Sequence, residues 1–100
     1  MQISLTFRHM EPTDAMKELV HEKVARVKKF IQGPVEANVV LSVERYIHAC
    51  DITIKSNGRT YKGHDETDDM YTSIDNVMGK IERQIDKTKG RARASRGSAS

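Results

Sequence analysis

Apolar and polar residues alternate over residues 2 to 8 (QISLTFR), with Ile3, Leu5 and Phe7 on one side, the period of a half-buried strand. After Pro12 the spacing changes to that of a helix. Met16, Leu19, Val20, Val24, Val27, Phe30 and Ile31 fall on one face at about 100° per residue, with Thr13 placed to cap the helix and Gly33-Pro34 to stop it. Period two returns in VEANVVLSVER, where Val39, Leu41 and Val43 share a side, and in IHACDITIK, where Cys50, Ile52 and Ile54 do. Ser56-Asn57-Gly58 is a tight-turn signal, because Asn-Gly accepts the positive φ angles of a two-residue hairpin, and RTYKGH after it reads as a fourth, less apolar strand. A second helix is expected to start near Thr67 to Asp69, where acidic side chains favour a helix N-terminus. Met70, Ile74, Val77, Met78, Ile81 and Ile85 supply its apolar face, and it is expected to fade around Lys89-Gly90. The order βαβββα implies an α+β fold, a four-stranded sheet with two helices packed on one face.

One hundred residues suit a single domain with one modest core. Only 5% of the chain is aromatic and Trp is absent, so the core must come from Val, Ile, Leu and Met, and neither a deep apolar pocket nor a small-molecule substrate or cofactor is expected. No apolar run approaches the roughly 18 residues of a membrane span, and the alternating start is unlike a signal peptide. The chain is therefore expected to stay in the cytoplasm. A lone Cys50 excludes an internal disulfide.

The net charge of +3 is unevenly distributed. Residues 1 to 86 hold twelve basic and fourteen acidic side chains, a formal −2, whereas Lys87, Lys89, Arg91, Arg93 and Arg96 give the remainder +5. Two parts are expected: a folded domain at 1–89 and a flexible basic Gly/Ser/Arg tail at 90–100. A basic surface on the folded part must arise by segregation of charge.

Segregation is visible on the second helix. With Met70 at zero, Lys80, Arg83 and Lys87 project between roughly 220° and 280°, bordered by the hydrogen-bonding Ser73, Asn76 and Gln84, while Asp75, Glu82 and Asp86 lie near 120° to 160°. A solvated helix surface usually intersperses its signs. A single-sign stripe instead suits a nucleic-acid backbone, because each cation can meet a phosphate and release condensed counterions. On the first helix Lys23 projects inside the apolar arc, so its stem must lie on the core edge while the ammonium snorkels outward, with Arg26 on the same side. If the helices lie side by side, these two can join the stripe. Lys28, Lys29, Lys89 and Arg91 are secondary candidates, each equally explicable as a solvated residue.

Catalytic signals are weaker. His48 and Cys50 share one side of a strand, and His64-Asp65-Glu66 with Asp68-Asp69 forms an acidic cluster, but neither has the paired ligand spacing of a recognised zinc site. A buried cysteine and a capped helix start explain them without catalysis.

The segment DMYTSIDNVMGKIERQIDK, Asp69 to Lys87, closely resembles the second helix of the short ribosome hibernation promoting factors and of ribosome-associated inhibitor A, also called protein Y. MEPTDAMKELVHEKVARVKKF is similar to the family's entry into helix one, and VVLSVE and IHACDITI resemble its second and third strands. The resemblance spans residues 1 to about 89. It implies the βαβββα fold and a non-enzymatic protein that binds the small ribosomal subunit between head and body. There it would lie against ribosomal RNA, where messenger and transfer RNAs otherwise sit, blocking translation and preserving idle ribosomes. Lys80, Arg83 and Lys87 stand where that family carries Lys, Arg and Lys, and Lys23 and Arg26 where its first helix is basic; these five are the expected rRNA contacts. In the matching DMY signature, Met70 is expected in the core, Asp69 at the helix terminus and Tyr71 in either role.

Residues 90–100 are basic and rich in Gly and Ser, so neither the extra C-terminal domain of the long hibernation factors nor the acidic extension typical of ribosome-associated inhibitor A is expected. That resembles the short hibernation promoting type, for which a separate ribosome modulation factor is a further partner in some bacteria. Two other readings compete. A general structured-RNA-binding module related in architecture to double-stranded RNA-binding domains shares the helices on a small sheet, but usually reads αβββα. A metal-dependent enzyme would use His48, Cys50 or the His64 to Asp69 cluster.

Overall fold

Alternation in the first residues produces strand β1 (Gln2–Arg8), which pairs in parallel with β2 (Glu36–Glu44). Parallel neighbours need a long crossover, and α1 (Asp14–Ala25) supplies it in the computed structural model, which describes residues 1–92 and side chains through Thr88. β2 pairs antiparallel with β3 (Ile47–Ser56), and β3 with β4 (Arg59–Thr67), so the sheet order is β1-β2-β3-β4 with β1 and β4 at its edges. α2 (Met70–Ala92) follows, and the arrangement is the expected βαβββα.

The register aligns the apolar positions of each strand. Ile3, Ala37, Ile54 and Tyr61 form one row across the sheet, Leu5, Val39, Ile52 and Gly63 the next, and Phe7, Leu41, Cys50 and Asp65 a third. Most of these side chains join Val20, Val24 and Val27 and the apolar face of α2 in one core. Burying each large aliphatic side chain is worth roughly 1.5–3 kcal/mol. Gly63 matters here because a Cβ at that position would lie 2.9 Å from Val77 Cγ1 and 3.2 Å from the Val77 carbonyl oxygen, so its missing side chain lets α2 approach β4.

Thr13 caps α1 as expected, its hydroxyl accepting the Met16 N–H at 3.1 Å. The helix then tightens into a 3-10 turn over Arg26–Lys29 instead of remaining α-helical towards Gly33, and Val27 and Ile31 stay buried through the change. Such tightening commonly ends helices. β4 exceeds the expected RTYKGH because Asp65, Glu66 and Thr67 continue to pair with Cys50, Ala49 and His48; cross-strand pairing overrides the low strand propensity of the two acids. α2 starts at Met70 behind Asp69, whose carboxylate accepts the Thr72 N–H at 3.0 Å and its hydroxyl at 2.7 Å. Its backbone runs through Gly90 to Ala92, past the expected fade. The Asn57-Gly58 turn has the positive φ angles its sequence requires, 53° and 75°.

Candidate nucleic-acid interface

The polar flank of α2 is fastened to edge strand β4. Ser73 donates to the His48 carbonyl at 2.7 Å and lies within 2.7 Å of the Thr67 hydroxyl; Asn76 donates to Asp65 at 2.7 Å. Lys80 Nζ donates to the His64 carbonyl at 2.8 Å and stands 3.6 Å from the Asp65 carboxylate. Gln84 accepts the Lys62 N–H at 3.2 Å and returns a bond to the Lys62 carbonyl. An open strand edge is a template for wrong pairing, and these side chains cover it. Ser73, Asn76 and Gln84, expected as donors beside the stripe, thus have structural partners, and Ser73 is buried. The amide of Asn76, reinforced by the charge of Lys80, holds the Asp65 carboxyl below the usual carboxylate range despite some desolvation.

This fastening orients the basic stripe. Arg83 and Lys87 are exposed on α2 and form no ion pair among the described residues. Arg59, at the start of β4, lines a shallow cleft with Ile85 and Thr88 and so adds a cation near the last described turn of α2. Lys62 adds a cation on the outer face of the same edge. Neither was legible from the helix projection, because each belongs to a strand; the available signal was their position on the least apolar strand of the four.

Lys23 and Arg26 lie elsewhere. α1 meets α2 along the acidic flank, where Lys23 pairs with Asp75 at 2.8 Å and Arg26 approaches Glu82 at 3.8 Å. The snorkelling expected of Lys23 is present, its half-buried side chain reaching out to a carboxylate. The continuous basic surface envisaged for side-by-side helices does not form, since Asp75 and Glu82 separate these cations from Lys80, Arg83 and Lys87. Lys28 reaches towards the Gly33 carbonyl at 3.5 Å and Lys29 is exposed. The Lys89 and Arg91 side chains, and the whole of Arg93 and Arg96, lie outside the described residues.

The residues of the metal and enzyme readings have other roles. Burial, then the charges of Asp51 and Asp65, push the Cys50 thiol up to about 12, which leaves it protonated and a poor nucleophile. Both ring nitrogens of His64 are taken by carboxylates, Nδ1 by Asp51 at 2.6 Å and Nε2 by Glu66 at 3.1 Å. Among the described residues no group of three His, Cys, Asp or Glu is placed to hold a metal ion. Met70 is buried, Asp69 caps the helix, and Tyr71 is 52% exposed.

Known proteins are similar to this chain in sequence and in fold. The chain is 35% identical over 89 residues to the ribosome hibernation promoting factor of Escherichia coli strain K12, covering 89% of this chain and 94% of that protein. It is 28% identical to the protein of the same name from Azotobacter vinelandii, covering 89% and 83%. The crystal structure of the Thermus thermophilus Protein Y N-terminal domain superposes with a TM-score of 0.82 at 28% identity, over 88% of this chain and 99% of that one. A ribosomal subunit interface protein from Coxiella burnetii gives 0.76 at 28% identity, over 90% and 99%. Residues 3–93 match the family described as Sigma 54 modulation protein / S30EA ribosomal protein, and the chain belongs to that family.

Proposed function

We propose that this chain is a cytoplasmic, non-enzymatic ribosome hibernation factor that binds the small ribosomal subunit in the channel for messenger and transfer RNA, blocks translation and stabilises inactive ribosomes. The observation that carries the reading is the cation row Lys80, Arg83 and Lys87 on a helix whose Lys80 and Gln84 are bonded to the edge strand β4. Residues 80 to 87 span about 10 Å of helix, roughly three nucleotide steps of a strand. Arg83 and Lys87 meet phosphate without surrendering an ion pair. Lys80, Lys23 and Arg26 exchange exposed or half-exposed pairs, each worth only about 0–1 kcal/mol, for phosphate contacts. The names of the similar proteins, hibernation promoting factor and subunit interface protein, support the ribosome as the RNA-bearing target.

The test is charge reversal at all three stripe positions, K80E/R83E/K87E, with binding to purified small subunits measured beside circular dichroism. Lost binding with a native spectrum is expected. Native-like binding by the reversed protein would remove the stripe from the interface. A comparable affinity of the natural chain for arbitrary RNA duplexes would favour the general RNA-binding module instead.

A further inference from the structure

Two of the antiparallel connections are two-residue turns, and they are built differently. The β3–β4 turn uses Asn57-Gly58, residues that adopt positive φ cheaply. The β2–β3 turn, between Glu44 and Ile47, uses Arg45-Tyr46, with Arg45 held at φ 56°. A left-handed conformation is unfavourable for such a residue, and backbone strain of this kind concentrates where binding requires it. Tyr46 is 84% exposed and Ile47 49%, and neither Arg45 nor Tyr46 makes a side-chain hydrogen bond or ion pair among the described residues. Folding therefore gains little from the large apolar groups at this tip.

The surroundings indicate the partner. β4 ends beside the start of β3, with Thr67 opposite His48, so Asp68 and Asp69 follow at the same end as the tip. Glu44 flanks the turn, and Glu66 lies one strand away, opposite Ala49. Against these four acids stand Arg8, at the end of β1, and Arg45. The Thr72 bonds hold the Asp69 carboxyl below the usual range, so it stays anionic. Tyr71, the other exposed aromatic here, sits in the first turn of α2, which Ser73 ties to the His48 carbonyl. Although His64 engages Glu66, carboxylates outnumber guanidiniums at this end, which disfavours phosphate, unlike the surface around Arg83 and Lys87.

We propose that the β2–β3 tip is a protein-docking surface, Tyr46 and Ile47 entering an apolar socket on a basic protein while the acids around them face its Lys and Arg side chains. The inference rests on the ribosome reading and deepens it: a ribosomal protein is contacted by the tip, separately from the RNA contacted by α2. Exposed aromatic anchors surrounded by complementary charge are the usual composition of such a contact.

The test compares the natural chain, the double variant Y46S/I47S and the reversed stripe on purified small subunits and on protein-free small-subunit RNA. The tip variant is expected to bind subunits about tenfold or more weakly and to bind the bare RNA as the natural chain does, whereas the reversed stripe loses both. Equal subunit binding by the natural chain and the tip variant would overturn the docking surface alone. Equal losses on subunits and bare RNA would make the tip an RNA contact. Head-to-tail association of the free natural chain, abolished in Y46S/I47S, would make the partner a second copy. Failure of the natural chain to bind subunits would overturn the ribosome reading and this inference together.

Discussion

Replacing Gly63 by Ala tests how tightly α2 is set on β4. The new Cβ would lie 2.9 Å from Val77 Cγ1, 3.2 Å from the Val77 carbonyl oxygen and 3.4 Å from Ile81 Cγ1. The first contact is too short to persist, and the second is with helix backbone, which moves only as a unit. Overpacking of this kind costs typically 1–3 kcal/mol. At about 4–8 °C per kcal/mol for a domain of this size, the melting temperature should fall by roughly 4 to 24 °C. Displacing α2 also lengthens the Gln84–Lys62 and Lys80–His64 bonds, so the stripe should lose part of its alignment and ribosome binding should weaken in the folded variant. Gly79 is the internal control. A Cβ there meets only the flexible Arg83 guanidinium, at 3.7 Å, and Gly-to-Ala in a helix interior gains about 0.5–1 kcal/mol. Thermal unfolding followed by circular dichroism reads both. Equal melting temperatures for G63A and the natural chain, or a drop for G79A, would refute the packing described here.

Three further outcomes are expected. Arg45→Asn should raise stability by up to about 1 kcal/mol in urea unfolding, because Asn tolerates the φ of 56° at lower cost; an unchanged midpoint would mean that the turn holds no strain. The hydrogen bonds to Asp51 and then Glu66 raise the His64 pKa above its ordinary 6.5, so its stabilisation is complete below that value and is lost as pH rises through the folded pKa. His64→Asn should therefore flatten the fall in urea midpoint between pH 6 and pH 8, and parallel slopes in the two proteins would contradict the clamp. Ribosome affinity should fall steeply with salt, with a log-log slope of roughly 3–4 for about five phosphate contacts, and the reversed stripe should remove most of it; a flat response would point to shape or protein contacts.

Periodicity was a reliable guide wherever burial decides the structure. Val39 and Leu41, Cys50, Ile52 and Ile54, and the six apolar positions of α2 are all buried as their spacing implied. The αL turn at Asn57-Gly58 and the cap at Thr13 were equally legible, since each depends on residues a few positions apart. What depends on a neighbouring element was not. The end of β4 is a strand because β3 holds it, although Asp65 and Glu66 carry little strand signal of their own. The helix projection separated the cations of α2 from its acids but did not show which flank faces α1. It is the acidic one, so Lys23 and Arg26 meet Asp75 and Glu82 before they reach the stripe. Likewise Asn76 and Gln84 have donors to offer, but the adjacent strand edge takes them. The nearness of Arg59 to the last described turn of α2 is likewise a matter of packing between elements distant in sequence.

The central claim, occupation of the RNA channel of the small subunit, is met most directly by sedimenting the purified chain with vacant ribosomes and with separated subunits at low and moderate salt, with and without messenger and transfer RNA. The expected result is saturable binding of one copy per small subunit, mutually exclusive with the two RNAs and accompanied by inhibited translation. Binding that persists unchanged when those RNAs fill the channel would contradict the claim.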